Sequence, residues 1–157
     1  MEIDAIASHG HTILHNPRAG YSLQMGCGAT IAAVSGIRTV CDFRQQDVAL
    51  GGQGAPLVPI GDKLLFGQYD ACLNLGGIAN ISFDKDGPVF GTQKLKRVLI
   101  TGGGVYHQFL IKRIKELSDV ALIIPDDEMV NMKEALIFGF MGFLRLRDEV
   151  NVLSSVT

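Results

Sequence analysis

An α/β fold, with helices flanking a mixed sheet, is what this sequence of 157 residues predicts. Three observations carry that reading. Short runs of β-branched and apolar residues, IDAIAS, RTVCDF, RVLITG and VALIIP, alternate with helical segments such as VYHQFLIKRIKEL and NMKEALIFGFMGFLRLR, the βαβ rhythm of α/β proteins. Glycine supplies 19 residues against five prolines, and the glycines fall in short groups rather than at a collagen-like period. The run RVLITG also leads through Gly102, Gly103 and Gly104 into a helix, an order that exposes backbone N–H groups to an anion. It is neither GxGxxG nor a Walker motif, so the glycines alone do not name a ligand.

The composition narrows the class. With 47% hydrophobic residues and a net charge of -2, the chain can bury a core and lacks the basic surplus of a nucleic-acid binder, so a small-molecule ligand is expected. Cys27, Cys41 and Cys72 show no CxxC spacing and are odd in number, which disfavours a disulfide framework or a zinc ribbon and suits the cytoplasm. The most apolar run, ALIFGFMGFL, has ten residues, whereas a membrane span needs about twenty. It is expected to be a buried helix, and no membrane partner is expected.

In chain order, residues 3–8 read as a buried strand ending at His9 and Gly10, followed by a polar loop through Asn16 and Pro17 and a second strand, YSLQMG. His9, His11 and His15 admit a metal-cluster reading, on which a metal-dependent hydrolase could be built. No acidic or cysteine ligand supports it at a suitable spacing, so no metal site is expected there. Ala29–Ser35 should form a short helix closed by Gly36. Arg38 then begins the strand RTVCDF, which delivers Asp42 at a carboxyl end, where open α/β sheets place ligands.

The stretch DFRQQDVALGGQGAPLVP follows, and its glycines 51, 52 and 54 allow positive φ and close backbone approach. A glycine-rich surface turn with a solvated Asp42 is the other reading of the same residues. LVPIGDKLLF should start a helix, and ACLNLGG with ANISFD should form a hairpin bent at Gly76 and Gly77. Such glycines, with Asn80, can serve an anion or simply pack. Lys85–Lys96 reads as a linker or edge. VALIIP is a further strand, Asn131 a candidate N-cap of the last helix, and Glu134 a first-turn carboxylate of that helix.

HGHTILHNP, the Asp42 stretch and LNLGGIANISF, in this order, resemble the anhydro-N-acetylmuramic acid kinases, ATP-dependent enzymes of peptidoglycan recycling in the sugar kinase, chaperone and actin superfamily. The similarity runs through most of residues 3–84 and resumes over 97–157. It implies a ribonuclease H-like fold, with residues 1–66 from the first, sugar-side domain and 67–157 from the second, nucleotide-side domain. It implies ATP and Mg2+ as cofactors and Asp42 as the general base. Water opens the internal anhydro bridge of the sugar, and the freed six-position oxygen takes the γ-phosphoryl group.

On the same resemblance, His9, His11, Arg44, Gln53, Gly54 and Glu134 hold the amino sugar, and Gly76, Gly77, Asn80, Gly102, Gly103 and Gly104 hold the nucleotide. His11 stands where the family usually has glutamine, and Val105 and His107 where it has alanine and asparagine. The family's first phosphate loop has no counterpart in these residues and the segment after Asp84 is short, so the chain is expected to be truncated. A non-catalytic module that binds sugar, nucleotide or a partner is the alternative. Truncation should uncover faces of IDAIAS, RVLITG and ALIFGFMGFL and drive pairing into a homodimer.

Overall fold

The computed structural model describes residues 2–83 and 95–154. It is a mixed α/β structure that divides into two compact units, residues 1–61 with 135–157, and residues 62–134.

In the first unit, β1 (Ile6–Ala7) pairs in parallel with β4 (Thr39–Val40), Ile6 opposite Thr39. These strands are shorter than IDAIAS and RTVCDF suggested. Asp42 is the reason at the second: its backbone takes the left-handed values φ 58 and ψ 27, and its carbonyl accepts from Gln46 N at 2.8 Å, which starts α2 (Phe43–Ala49). A helix therefore fills the first half of the stretch DFRQQDVALGGQGAPLVP, burying Phe43, Asp47 and Val48.

Residues 11–16, expected as loop, form β2 (His11–Asn16), antiparallel to β3 (Tyr21–Met25) with an irregularity between Thr12 and Leu14. The turn explains the hairpin. Asn16 Oδ1 accepts from Ala19 N at 3.1 Å, Pro17 opens a single 3-10 turn, and Gly20 closes it at φ 77, a conformation that costs glycine little. Between β3 and β4 lies α1 (Gly28–Ser35), ended as expected by left-handed Gly36.

The second unit holds a four-stranded sheet in the order β6 (Ala79–Ser82), β5 (Ala71–Leu75), β7 (Arg97–Thr101), β8 (Ala121–Ile123). β5 and β6 form the expected antiparallel hairpin, while β5, β7 and β8 run parallel. Asp70 Oδ2 accepts from the N–H groups of Lys96 and Arg97, both at 2.7 Å, which sets where β7 begins. α4 (Gln108–Leu117) starts three residues later than the sequence suggested. A 3-10 turn takes up Gly103–Tyr106, and His107 caps the helix by accepting from Leu110 N at 3.1 Å. The core is Ala71, Leu75, Val98, Ile100, Val105, Ile111 and Val130. RVLITG is thus an interior strand and not the uncovered face expected of it.

α3 (Pro59–Leu65) and α5 (Asp127–Leu146) are the helices in which the division between units falls. The start of α5 corrects the sequence reading. Asp126 is the cap, its Oδ1 accepting from Met129 N at 2.8 Å, with Asp127 and Glu128 in the first turn. Asn131 lies one turn in and donates to the Asp127 carbonyl at 2.7 Å and to Tyr106 Oη at 3.2 Å. Glu134 is two turns in, too far along the helix to complement the dipole. Nor is the ALIFGFMGFL part of α5 buried throughout, as expected of it. Val130, Lys133, Ile137, Phe138, Met141 and Leu144 are buried at helical spacing, while Leu136 and Phe143 are exposed. The expected linker lies, up to residue 94, outside the described residues.

Candidate functional site

Asp42 sits two residues beyond β4, at the strand's carboxyl end. A side chain other than glycine in the left-handed region is uncommon, and aspartate is among the residues that tolerate it. The carboxylate is exposed, accepts from Cys41 Sγ at 3.4 Å, and opens on a cleft of about 550 Å³. Gln45, Gln46 and Ala49 line that cleft from the same face of α2, together with Thr39, Val40, Cys41 and Arg145. Arg145, near the end of α5, lines the same cleft and lies 3.7 Å from Asp148 Oδ1; sequence reasoning missed it. Nothing in LRLRDE marks one arginine over the other.

Arg44 projects elsewhere. Its Nη1 donates to the Gly54 carbonyl at 2.8 Å and its Nη2 to His9 Nε2 at 3.1 Å. His9 in turn stacks on Phe138 with ring centroids 4.1 Å apart and planes 12° apart. Three of the expected sugar-side residues, His9, Arg44 and Gly54, therefore meet in one cluster, whereas His11 and Gln53 are exposed and have no place in it. Burial, and then the neighbouring guanidinium, pull the His9 ring from its ordinary 6.5 down to about 4, so it is neutral near pH 7. His15 Nδ1 lies 3.3 Å from Ser22 Oγ. Among the described residues no group of three or more His, Cys, Asp or Glu side chains converges on a metal position, and an arginine stands against His9 where a cation would have to bind.

Asp47, which sequence reasoning passed over, organises the glycine loop. It is buried, its Oδ2 accepts from Gly54 N at 2.6 Å, and its carbonyl accepts from Gly52 N at 2.9 Å. A Cβ on Gly52 would overlap the Asp47 carboxylate, so this glycine is required for close approach and not for positive φ. Gly51 and Gly54 do take positive φ, 94 and 70. An acid on the helix just before a glycine-rich turn was the available signal.

In the second unit the register of β5 against β7 decides the geometry. Asn74 pairs with Thr101, so Gly76–Gly77 and Gly102–Gly104 leave adjacent parallel strands side by side at their carboxyl ends. Gly102, at φ 86 and ψ 161, lies against Asn74 and the Leu75 backbone, and Gly104 against Leu75. Gly77 and Gly103 have open space where a side chain would stand. Asn80 is exposed on β6, opposite Asn74, and Glu134 is exposed on α5.

The sequence had not hinted at the polar centre beneath this hairpin. Lys133 Nζ is 2.6 Å from Asp62 Oδ1, with side chains only 6% and 9% exposed, and Ser82 Oγ donates to Asp62 Oδ2 at 2.5 Å. Lys133 also sits 5.4 Å from the Phe66 ring centroid.

Comparison with known proteins bears on these residues. The family model described as anhydro-N-acetylmuramic acid kinase matches residues 1–91. The anhydro-N-acetylmuramic acid kinase of Aliivibrio fischeri is 53% identical over 96 residues, covering 57% of this chain and 26% of that protein. Those of Pseudomonas putida and Bordetella pertussis are 50% identical over 93 residues and 51% identical over 88, covering 26% and 23% of their lengths. The match thus spans about a quarter of the length of these relatives. Within that span it takes in Asp42, the Arg44–His9–Gly54 cluster and the β5–β6 hairpin, and on it this chain belongs to the anhydro-N-acetylmuramic acid kinase family.

Proposed function

We propose that the chain carries part of an ATP-dependent kinase that opens 1,6-anhydro-N-acetylmuramic acid with water and phosphorylates it to N-acetylmuramic acid 6-phosphate. The observation that carries this reading is Asp42, held left-handed at the end of β4 and exposed on a cleft it shares with Gln45, Gln46 and Arg145. Strained backbone at a ligand-facing strand end is where functional side chains concentrate. An exposed carboxylate there can take the proton of a water as it attacks the anomeric carbon, and general-base help of this kind is worth roughly a hundred to ten thousandfold. Gln46 offers an amide donor and acceptor for sugar hydroxyls, whereas the Gln45 amide is held by Ser22 N and the Gly20 carbonyl.

Residues 1–66 are read as part of a sugar-side ribonuclease H-like domain and residues 67–157 as part of the nucleotide-side one. The second unit suits a phosphate-bearing ligand. Gly77 and Gly103 leave open space on adjacent strand ends, and Gly102 and Gly104 keep the two turns in close contact. Gly76, Gly77 and Gly102–Gly104 would hold ATP, and Asn80 the hydrated Mg2+. When bound, ATP supplies the phosphoryl group and Mg2+ the charge neutralisation of its transfer. His9, Arg44, Gln53, Gly54, His11 and Glu134 are assigned to the sugar, with Asp47 holding the loop of Gly54 in place. The cytoplasm is the proposed site of action; no described helix is long and apolar enough to cross a membrane.

The test is product formation. The purified chain is mixed with the anhydro sugar and Mg-ATP, and the sugar phosphate is followed by mass spectrometry. Asp42→Asn, which keeps the shape and tolerates the same backbone, should retain sugar binding and lose about two to four powers of ten in turnover. Near-normal turnover of that variant would remove Asp42 from the role. Sugar binding without any turnover by the unsubstituted chain would replace the kinase reading with that of a binding module.

A further inference from the structure

We propose that Cys27 and Cys41 are a peroxide-oxidisable dithiol that closes to an intramolecular disulfide beside Asp42. The spacing of the three cysteines gave no sign of pairing, but the fold brings two of them together. Cys27 is the residue before α1, and the next residue, Gly28, is buried directly against Cys41, whose sulfur a Cβ on Gly28 would overlap. α1 therefore begins on top of the Cys41 thiol, one residue from Cys27. Cys27 is exposed and open to an oxidant, Cys41 is half-buried and hydrogen-bonded to Asp42, and Cys72 is buried in the other unit. None of this depends on the kinase reading.

The chemistry divides between the two thiols. The Thr30 hydroxyl and the N–H groups of Thr30 and Ala29, in the first turn of α1, hold the Cys27 thiol below its ordinary range and favour the nucleophilic thiolate. Burial, and then Asp42, hold Cys41 above that range, so it remains a thiol until a partner is presented. Attack of the Cys27 thiolate on hydrogen peroxide breaks the O–O bond, forms a sulfenic acid and releases hydroxide, a two-electron oxidation of sulfur. The Cys41 sulfur then attacks the sulfenic sulfur. The S–S bond forms, the S–O bond breaks, and the hydroxide leaves as water after taking up the proton lost by the Cys41 thiol. Asp42 Oδ2, which already accepts from Cys41 Sγ at 3.4 Å, is placed to take the thiol proton in that step. Closure removes that hydrogen bond from Asp42 and ties the start of α1 to the wall of its cleft. Burial pushes the Cys72 thiol up to about 12, which makes it an internal control.

The reduced chain, treated with stoichiometric hydrogen peroxide, alkylated and cut with trypsin, tests this by mass spectrometry. Cleavage after Arg18, Arg38, Arg44, Lys63 and Lys85 puts the three cysteines on three different peptides, 19–38, 39–44 and 64–85. The expected product is peptide 19–38 joined to 39–44 with Cys72 alkylated, formed at least about tenfold faster in the folded chain than in urea. Equal rates in urea, a disulfide between two chains, or over-oxidised Cys27 with alkylated Cys41 would each overturn the proposal. Cys41→Ser should leave a dimedone-reactive sulfenic acid on Cys27, and Cys27→Ser should leave Cys41 reduced. Dimedone labelling at Cys72, or none at Cys27, would overturn the assignment of the attacking thiol.

Discussion

Arg44 Nη2 donates to His9 Nε2 at 3.1 Å, and this bond settles the protonation of the ring. A guanidinium can only donate, so Nε2 is the acceptor and the ring proton sits on Nδ1, which is buried without a hydrogen-bond partner among the described residues. Protonating the ring would turn the bond to Arg44 into a repulsion.

Stability should therefore fall in acid through His9. The folded pKa of about 4 lies below the unfolded value of 6.5, so between the two the unfolded state binds more protons and folding weakens as pH drops. The stabilisation is fully present above about 6.5 and lost on passing down through about 4. Urea unfolding at a series of pH values should show that slope, and His9→Gln should remove its part of it. An NMR titration midpoint for His9 near 6.5 would refute the expectation.

Asp62 and Lys133 give the second prediction. Lys133→Met leaves an uncompensated buried carboxylate and should cost about 3–5 kcal/mol, whereas the double change Asp62→Leu with Lys133→Met should recover most of that loss. Denaturant midpoints of the three variants decide it. A double variant no better than the single one would mean that Ser82 and Phe66 require the ion pair itself.

The backbone at Asp42 separates strain from chemistry. Asp42→Ala, placing a methyl in the left-handed region, should destabilise by about 1–2 kcal/mol, while Asp42→Gly should be neutral or stabilising. Thermal unfolding measures both, and equal stability of the two would mean that this φ is relaxed in solution.

Within GGG the three glycines should differ sharply. Gly102→Ala meets the Leu75 backbone and an unfavourable φ of 86, and should cost about 1–3 kcal/mol for the backbone alone. Gly103→Ala points into open space and should change stability by no more than about 0.5 kcal/mol. Similar losses at both positions in urea unfolding would contradict the placement of β7 against β5.

Self-association is expected from a different surface than the sequence suggested. β3 turns Ser22 and Gln24 inward and exposes Tyr21, Leu23 and Met25, with Leu14 exposed opposite Leu23. Light scattering behind gel filtration should give a mass above the 16.9 kDa monomer, and Leu23→Asp should lower it. A monomer in both cases would exclude pairing through this hairpin.

Local patterns made much of this legible in advance. The β5–β6 hairpin, α1 with its closing Gly36, α3, and the strand–glycine–helix order at β7 all follow from apolar runs broken by glycine, because those signals are encoded within a few residues. The hidden helix α2 was misread because its apolar positions, Phe43 and Val48, are too few to display a helical period. The hairpin strand β2 was misread because its inward side is polar.

The sequence by itself determined the α/β class, the glycine turns, and Asp42 at the end of a strand. Tertiary structure alone decided which distant side chains meet: Arg44 with His9, Asp47 with Gly54, Lys133 with Asp62, and Cys41 against the start of α1. The physical reason is range. Turns and strands respond to neighbours along the chain, whereas a buried charge, a neutral histidine or a thiol pair acquires its chemistry from groups that only the folded path brings within a few ångströms.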